Sequence, residues 1–255
     1  GRVSFINCEP LFYGLEDCWK ILPAPPSWLT GHLLRKDCIL APIPAADYAK
    51  NADELVLVPD IAISSKGEVG SVLLFGEVGL SDMKSIALPS DSATSVKLLK
   101  FLIKSKGLQP EYLEMGPDLS GMLDRCDGCL LIGDRALESA REFPHLVRLD
   151  LGFEWKKVSG HPMVFGVFAA RKDSDISLVK NAYNALISRL NDFENNSKIR
   201  SAVIKTSSVK SSQDIERLER YFGEVINRID KDDFNGLKAF LENACGMKDG
   251  IKMAW

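Results

Sequence analysis

Residues 85–107, SIALPSDSATSVKLLKFLIKSKG, contain the local pattern that decides the fold. Ser85 to Leu88 is a short, mostly apolar run that ends at Pro89, which is typical of a buried strand. Ser92 to Lys106 places apolar residues on one helical face, and Gly107 stands where a glycine commonly ends a helix. The stretch therefore predicts a strand followed directly by an amphipathic helix, the repeating unit of an α/β protein.

The same alternation continues on both sides of this stretch. Further strands are predicted at Val3–Ile6, Asp37–Ile43, Leu55–Ser64, Gly70–Phe75, Cys129–Ile132 and Met163–Ala169. Further helices are predicted at Arg135–Arg141, Asp175–Asn191, Ile215–Ile229 and Asp233–Cys245, with a capping box at Ser211–Asp214 before the third. Strands that alternate with helices predict an α/β chain with mainly parallel sheets.

Composition limits the classes of function. The chain has 255 residues, 45% of them apolar, and 32 basic against 35 acidic side chains, so its net charge is −3. This length predicts one or two domains. The charge argues against a nucleic-acid partner, and no apolar run is long enough to span a bilayer. No secretory leader is visible, so we expect a cytoplasmic protein, while the oligomeric state stays open.

Cysteine and histidine give little support to a metal or redox site. The lone pair Cys126 and Cys129 has CxxC spacing, but Cys129 opens a predicted strand and no second ligand pair follows. The three histidines, His32, His145 and His161, lack metal-ligand spacing. We therefore expect no metal, and the common nucleotide-binding, serine-hydrolase and zinc-protease motifs are also absent.

Small hydroxyl residues and glycines stand where strands give way to helices. Ser92, Thr94 and Ser95 surround the start of a predicted helix, where free N–H groups and a partial positive charge favour a carboxylate or phosphate. Ordinary N-capping by Ser92 is the alternative interpretation. Gly133 would let the backbone approach a ligand while Asp134 caps the next helix. Asn7 follows the first strand and is either a turn residue or a cleft donor and acceptor.

Seven segments together carry a resemblance to a known family. They are RVSFINCEPLFYG (2–14), LAPIPAADY (40–48), GSVLL (70–74), SATSV (92–96), LLIGDRAL (130–137), DLGFEW (150–155) and SGHPMVF (159–165). In this order they resemble the chorismate dehydratases of the futalosine route to menaquinone.

The resemblance implies a two-lobed fold of the periplasmic-binding-protein type II class, with a double hinge crossing. Lobe one would hold residues 1–84 and 168–255, and lobe two would hold residues 85–167. The crossings would lie near 76–85 and 160–168.

The resemblance also implies a cleft between the lobes that binds a small dicarboxylate. Its predicted binding residues are Pro44, Ser65, Ser71, Ser92, Thr94, Ser95, Gly133 and Asp134, and Asn7 is the predicted catalytic residue. The expected reaction is loss of water from chorismate to give 3-[(1-carboxyvinyl)oxy]benzoate, without a cofactor. Asn7 would orient the substrate or the leaving hydroxyl.

The resemblance leaves three candidates for the group that accepts the ring proton. The substrate's own enolpyruvyl carboxylate is the first candidate. Asp134 is the second, although a capping carboxylate is expected to have a low pKa, and Glu9 is the third.

Three other functions stay open. The sibling enzyme dihydroxynaphthoate synthase shares the fold, and His145 would be the candidate general base for that activity. A non-catalytic solute-binding protein for an organic anion and the ligand-sensing domain of a regulator are the others.

Overall fold

The computed structural model describes residues 1–255. Eleven strands are present: β1 (Arg2–Val3), β2 (Pro23–Ala24), β3 (Ala41–Pro44), β4 (Leu55–Ser65), β5 (Val72–Gly76), β6 (Ser85–Pro89), β7 (Glu111–Met115), β8 (Gly128–Ile132), β9 (Val147–Asp150), β10 (Met163–Arg171) and β11 (Ile226–Arg228). Three short 3₁₀ turns lie at Ile6–Cys8, Leu80–Asp82 and Pro144–Leu146.

Eleven α-helices connect the strands. They are α1 (Glu9–Phe12), α2 (Pro26–Leu34), α3 (Ala45–Lys50), α4 (Ala93–Ser105), α5 (Leu119–Leu123), α6 (Gly133–Glu142), α7 (Leu151–Ser159), α8 (Ile176–Asn195), α9 (Ser197–Ser211), α10 (Ile215–Glu224) and α11 (Lys231–Asn243). None of them combines the length and the apolar composition that a bilayer-spanning helix needs.

Two larger sheets form two lobes, and the chain passes between them twice. The first lobe is built on the sheet β11-β4-β10-β3, and the second on the sheet β7-β6-β8-β5-β9. Strand β4 leads out of the first lobe, and β10 brings the chain back beside it, antiparallel to β4. The predicted two-lobed α/β fold with a double crossing is therefore what the sheets form.

The expectation of mainly parallel sheets is wrong. Only the pairs β1–β2, β6–β7 and β6–β8 are parallel. Every pairing in the sheet of the first lobe is antiparallel. The reason is topological, since a strand that leaves a lobe and a strand that returns to it run in opposite directions when they lie side by side.

The first crossing comes earlier in the chain than predicted. Strand β5 pairs with β8 in the second sheet, with Phe75 opposite Cys129, so the chain enters the second lobe between Ser65 and Val72. A boundary at residue 84 therefore assigns β5 to the wrong sheet. Alternate residues of β5 belong to the main core and to a smaller cluster on the other face of this sheet. A short apolar run fits either sheet, so its sequence does not specify its partner.

One predicted helix also ends earlier than expected, and its predicted cap differs. The predicted helix from Ile215 to Ile229 stops at Glu224, and β11 follows and pairs with β4. Asp214 caps this helix by accepting from Arg217 N, so the capping box predicted at Ser211–Asp214 is replaced by a single acidic cap.

Candidate active site

A narrow cavity separates the two lobes. Its volume is about 60 Å³. The polar lining consists of Asn7, Ser71, Ser92, Thr94 and Ser95, and the rest of the lining is apolar or glycine: Val3, Phe5, Pro26, Pro42, Ile43, Pro44, Ile63, Val69, Val72, Ile132, Gly133, Phe165, Gly166 and Val225. No charged side chain lines it. The site therefore offers neutral hydrogen-bond donors within an apolar enclosure.

Seven of the nine residues predicted from the sequence line this cavity. They are Asn7, Pro44, Ser71, Ser92, Thr94, Ser95 and Gly133. The other two, Ser65 and Asp134, lie outside the lining. Ser65, at the end of β4, donates its hydroxyl to the Gly67 carbonyl at 3.1 Å. It thus shapes the turn that leads toward the second lobe.

Helix α4 presents its N-terminus to the cavity without a side-chain cap. Ser92 occupies the N-cap position, but its hydroxyl makes no capping hydrogen bond. The capping interpretation of Ser92 is therefore wrong. Ser92 and Ser95 are both buried, and the first N–H groups of an α-helix have no partner within the helix. Two serine hydroxyls and a helix N-terminus thus share one side of the cavity.

Thr94 forms a hydrogen bond between the lobes. Its Oγ1 accepts from the backbone N of Ala46 in α3, at 3.1 Å. Helix α3 starts directly after Pro44, which ends β3. Since an amide N–H can only donate, the hydroxyl proton of Thr94 is left for another acceptor.

Gly133 starts α6 in a conformation that requires glycine. Its φ is +62°, and a Cβ at this position would lie 2.6 Å from the ring of Phe5. Its N–H donates to the Ser71 carbonyl at 2.7 Å. The absence of a side chain lets the first lobe, through Phe5, lie directly on the start of α6.

The prediction that Asp134 caps α6 is wrong. The N-cap position makes no side-chain bond, and Asp134 Oδ1 instead accepts from Ile6 N at 3.1 Å. This bond connects the second lobe to the turn that carries Asn7. Burial, with a smaller contribution from the nearby Glu9 carboxylate, raises the pKa of Asp134 to about 6. The expected low pKa is therefore wrong, because desolvation outweighs the hydrogen bond from Ile6.

Asn7 is the best-placed polar group for a ligand. It lies in the middle of the Ile6–Cys8 turn and is only 9% exposed. Its Oδ1 is buried and has no hydrogen-bond partner in the protein. An unsatisfied buried amide oxygen costs free energy, so this geometry suits an amide that is completed by a bound molecule.

Glu9 is satisfied by ion pairs rather than free for catalysis. Its side chain is 2% exposed and bonds to Arg2 and, at 2.6 Å, to Lys210.

His145 is exposed in the Pro144–Leu146 turn and does not line the cavity. Cys126 and Cys129 are free, buried thiols. No group of three or more His, Cys, Asp and Glu side chains is arranged to hold a metal ion.

The apolar walls of the cavity and one buried hydroxyl were not predicted from the sequence. Phe5 and Phe165 lie within the recognised segments but carry no polar signal that would mark them. Val225 and Tyr221 come from the C-terminal third, where no motif was found, and Tyr221 bonds to Ser71 at 3.1 Å. Only the topology, which returns β11 to β4, brings this part of the chain to the cavity.

Comparisons with known proteins place these observations in a family. The family described as menaquinone biosynthesis matches residues 1–245. A chorismate dehydratase from Thermus thermophilus is 30% identical over 95% of this chain and 93% of its own.

Solved structures agree with the fold. A protein from Archaeoglobus fulgidus has a TM-score of 0.74 at 22% identity and covers 96% of this chain and 97% of its own. The periplasmic aliphatic sulphonate binding protein of Escherichia coli has a TM-score of 0.66 at 14% identity, over 99% of this chain and 94% of its own. The fold is thus that of the periplasmic binding proteins, and the chain belongs to the menaquinone-biosynthesis family.

Proposed function

We propose that this protein is a hydro-lyase that converts chorismate to 3-[(1-carboxyvinyl)oxy]benzoate within menaquinone biosynthesis. The observation that carries the proposal is the narrow interlobe cavity, whose polar lining is neutral and includes the unpartnered oxygen of Asn7. Family membership and the chorismate dehydratase relative support the same reaction.

The reaction is an internal elimination that needs no oxidant or reductant. The ring carbon that bears the enolpyruvyl ether loses its proton, and the neighbouring carbon loses its hydroxyl. A new ring double bond forms, water leaves, and the ring becomes aromatic. Because aromatisation provides the driving force, the protein's task is to hold the two carboxylates and the ring in a reactive geometry.

The donors around the cavity suit a dianion in spite of their neutrality. The start of α4, with Ser92 and Ser95, can donate to one carboxylate. Thr94 has a free proton because its oxygen already accepts from Ala46. Electron density moves toward the ring carboxylate as the proton leaves, so fixed donors at that carboxylate would stabilise the transition state.

Asn7 is assigned the role of a hydrogen-bonding group at the leaving hydroxyl or the reacting carbon. Its amide can donate a hydrogen bond to the departing oxygen and accept one through Oδ1. No carboxylate, histidine or lysine lines the cavity, so the enolpyruvyl carboxylate of the substrate is the favoured proton acceptor. Asp134 is the remaining protein candidate, with its pKa raised to about 6, but it does not line the cavity and bonds to Ile6.

The substrate must enter through an opening of the lobes. A volume of about 60 Å³ is well below the roughly 150 Å³ that holds a benzene ring in a protein. The hydrogen bonds Thr94–Ala46 and Asp134–Ile6 span the lobes and would break when they separate. The conformation described here is therefore assigned to a closed state that is too narrow for the substrate, and the cavity must widen to hold the substrate in each catalytic cycle.

One experiment tests the proposed activity directly. Purified protein is incubated with chorismate alone, and the ultraviolet spectrum is followed. The diene absorption should fall while a benzoate spectrum appears. An unchanged spectrum with tight binding of chorismate would favour a solute-binding protein, whereas turnover only of a larger bicyclic precursor would favour the sibling dihydroxynaphthoate synthase. The sibling enzyme is disfavoured because His145 does not line the cavity.

A further inference from the structure

Tyr221 is a completely buried tyrosine whose hydroxyl meets the cavity lining from behind. It lies on α10, is 0% exposed, and its OH is 3.1 Å from Ser71 Oγ. No other hydrogen-bond partner contacts this hydroxyl. A buried hydroxyl proton that lacks an acceptor is costly, so Tyr221 donates to Ser71.

The backbone around Ser71 is fixed, which leaves only the hydroxyl free to turn. The Ser71 carbonyl accepts from Gly133 N at 2.7 Å. The preceding Gly70 N donates to the Asp150 carboxylate at 2.8 Å. Because Ser71 Oγ accepts from Tyr221, its own proton has no acceptor in the protein, and Ser71 lines the cavity.

We propose that Tyr221 is a positioning residue that orients the Ser71 hydroxyl as a hydrogen-bond donor to a carboxylate of the bound substrate. The inference rests on the function proposed above, and it adds a residue that does not itself line the cavity. Without Tyr221, the serine hydroxyl could point its lone pairs at the carboxylate, which would be repulsive. Burial also raises the pKa of Tyr221, which keeps its proton in place over the working pH range.

The contact joins the first lobe to the segment through which the chain enters the second lobe. Helix α10 leads into β11 of the first lobe, whereas Ser71 immediately precedes β5 of the second sheet. The same arrangement holds at Thr94, whose oxygen accepts from Ala46 of the opposite lobe. In both cases a group from one lobe fixes the polarity of a hydroxyl on the other.

A double-mutant cycle tests the inference, with Tyr221→Phe, Ser71→Ala and the double variant. Two quantities are measured for each protein: kcat/KM for chorismate, and the Kd of 3-[(1-carboxyvinyl)oxy]benzoate by calorimetry. We expect Tyr221→Phe to weaken both about five- to tenfold, the usual effect of one hydrogen bond. In the Ser71→Ala background, the same change should have no further effect, because Tyr221 acts through Ser71.

Tyr48→Phe is the matched control. Tyr48 is equally buried, and its hydroxyl accepts from Lys252 N, away from the cavity. We expect it to retain wild-type turnover. Additive losses in the cycle, or wild-type values for Tyr221→Phe, would overturn the inference. If wild-type protein binds the benzoate product but does not turn over chorismate, only the proposed activity is refuted. The double-mutant cycle measured by Kd would still test the role of Tyr221.

Discussion

At the scale of single residues, the most informative group is the Asn7 amide, whose buried oxygen has no protein partner. Replacing Asn7 by alanine removes the donor assigned to the reacting centre. We expect kcat for chorismate to fall about 100-fold, which is typical for loss of one group that stabilises developing charge. Steady-state kinetics from the ultraviolet assay measure this, with the exposed Asn195→Ala as control. Wild-type turnover by Asn7→Ala would remove Asn7 from the mechanism.

Asp134 gives a residue-scale prediction about pH. Its pKa is raised to about 6 in the folded protein, above the ordinary value of 3.8. The folded state therefore binds the proton more tightly than the unfolded chain, and the free energy of unfolding decreases as pH rises from about 4 to about 6. Asp134→Asn keeps an oxygen for Ile6 N and removes the buried charge. The free energy of unfolding of Asp134→Asn should exceed that of wild type by up to about 3 kcal/mol above this pH window, and by little below it.

Urea denaturation at pH 4.5 and 7.5 checks the sign of this effect. Asp124→Asn, at an exposed position, serves as a control for loss of a carboxylate at the surface. An equal difference between Asp134→Asn and wild type at both pH values would contradict the raised pKa. Loss of chorismate turnover in the folded Asp134→Asn protein would instead assign Asp134 a part in proton transfer.

At the scale of elements, the start of α4 separates binding from stability. Ser92 holds the N-cap position without capping, whereas Asp214 caps α10 through Arg217 N. Ser92→Ala should therefore lower kcat/KM for chorismate but change the free energy of unfolding by only a few tenths of a kcal/mol. Asp214→Ala should show the reverse, with a loss of about 1 kcal/mol in stability. Denaturant unfolding and kinetics on both variants decide the matter, and a large destabilisation by Ser92→Ala would restore its capping role.

The elements also show how far the sequence alone can lead. Helix α4 was predicted within one residue at each end, because its amphipathic period and terminal glycine are local signals. Strand β5 was found, but its sheet was not, since pairing with β8 depends on residues more than fifty positions away. The same limit explains Asp134, whose partner Ile6 is 128 residues distant, and Glu9, whose partner Lys210 is 201 residues distant. Local patterns marked Asn7, Ser92, Thr94, Ser95 and Gly133, whereas Pro44 and Ser71 were implied by the resemblance to a family. The environments that set protonation came from the fold.

At the scale of the whole molecule, hinge closure is the property to measure. The interlobe bonds of Thr94 and Asp134 belong to the narrow state of the cavity. We expect the free protein in solution to open its lobes, so small-angle scattering should show a smaller radius of gyration when 3-[(1-carboxyvinyl)oxy]benzoate is added. Thr94→Val keeps the side-chain volume but leaves Ala46 N without an acceptor, so its compaction should need a higher product concentration. An unchanged radius for wild type at saturating product would argue against hinge closure.

The neutral lining of the cavity has a consequence for how fast the substrate arrives. The protein carries a net charge of −3, and no arginine or lysine in the cavity offsets it for an approaching dianion. Long-range repulsion should therefore slow the encounter, and dissolved salt should relieve it. Stopped-flow measurements between about 0.01 M and about 0.15 M ionic strength should show faster association at the higher value. An enzyme that held the substrate carboxylates with arginines would show the opposite trend. The change of association rate with ionic strength therefore distinguishes substrate binding by dipoles from binding by charged side chains.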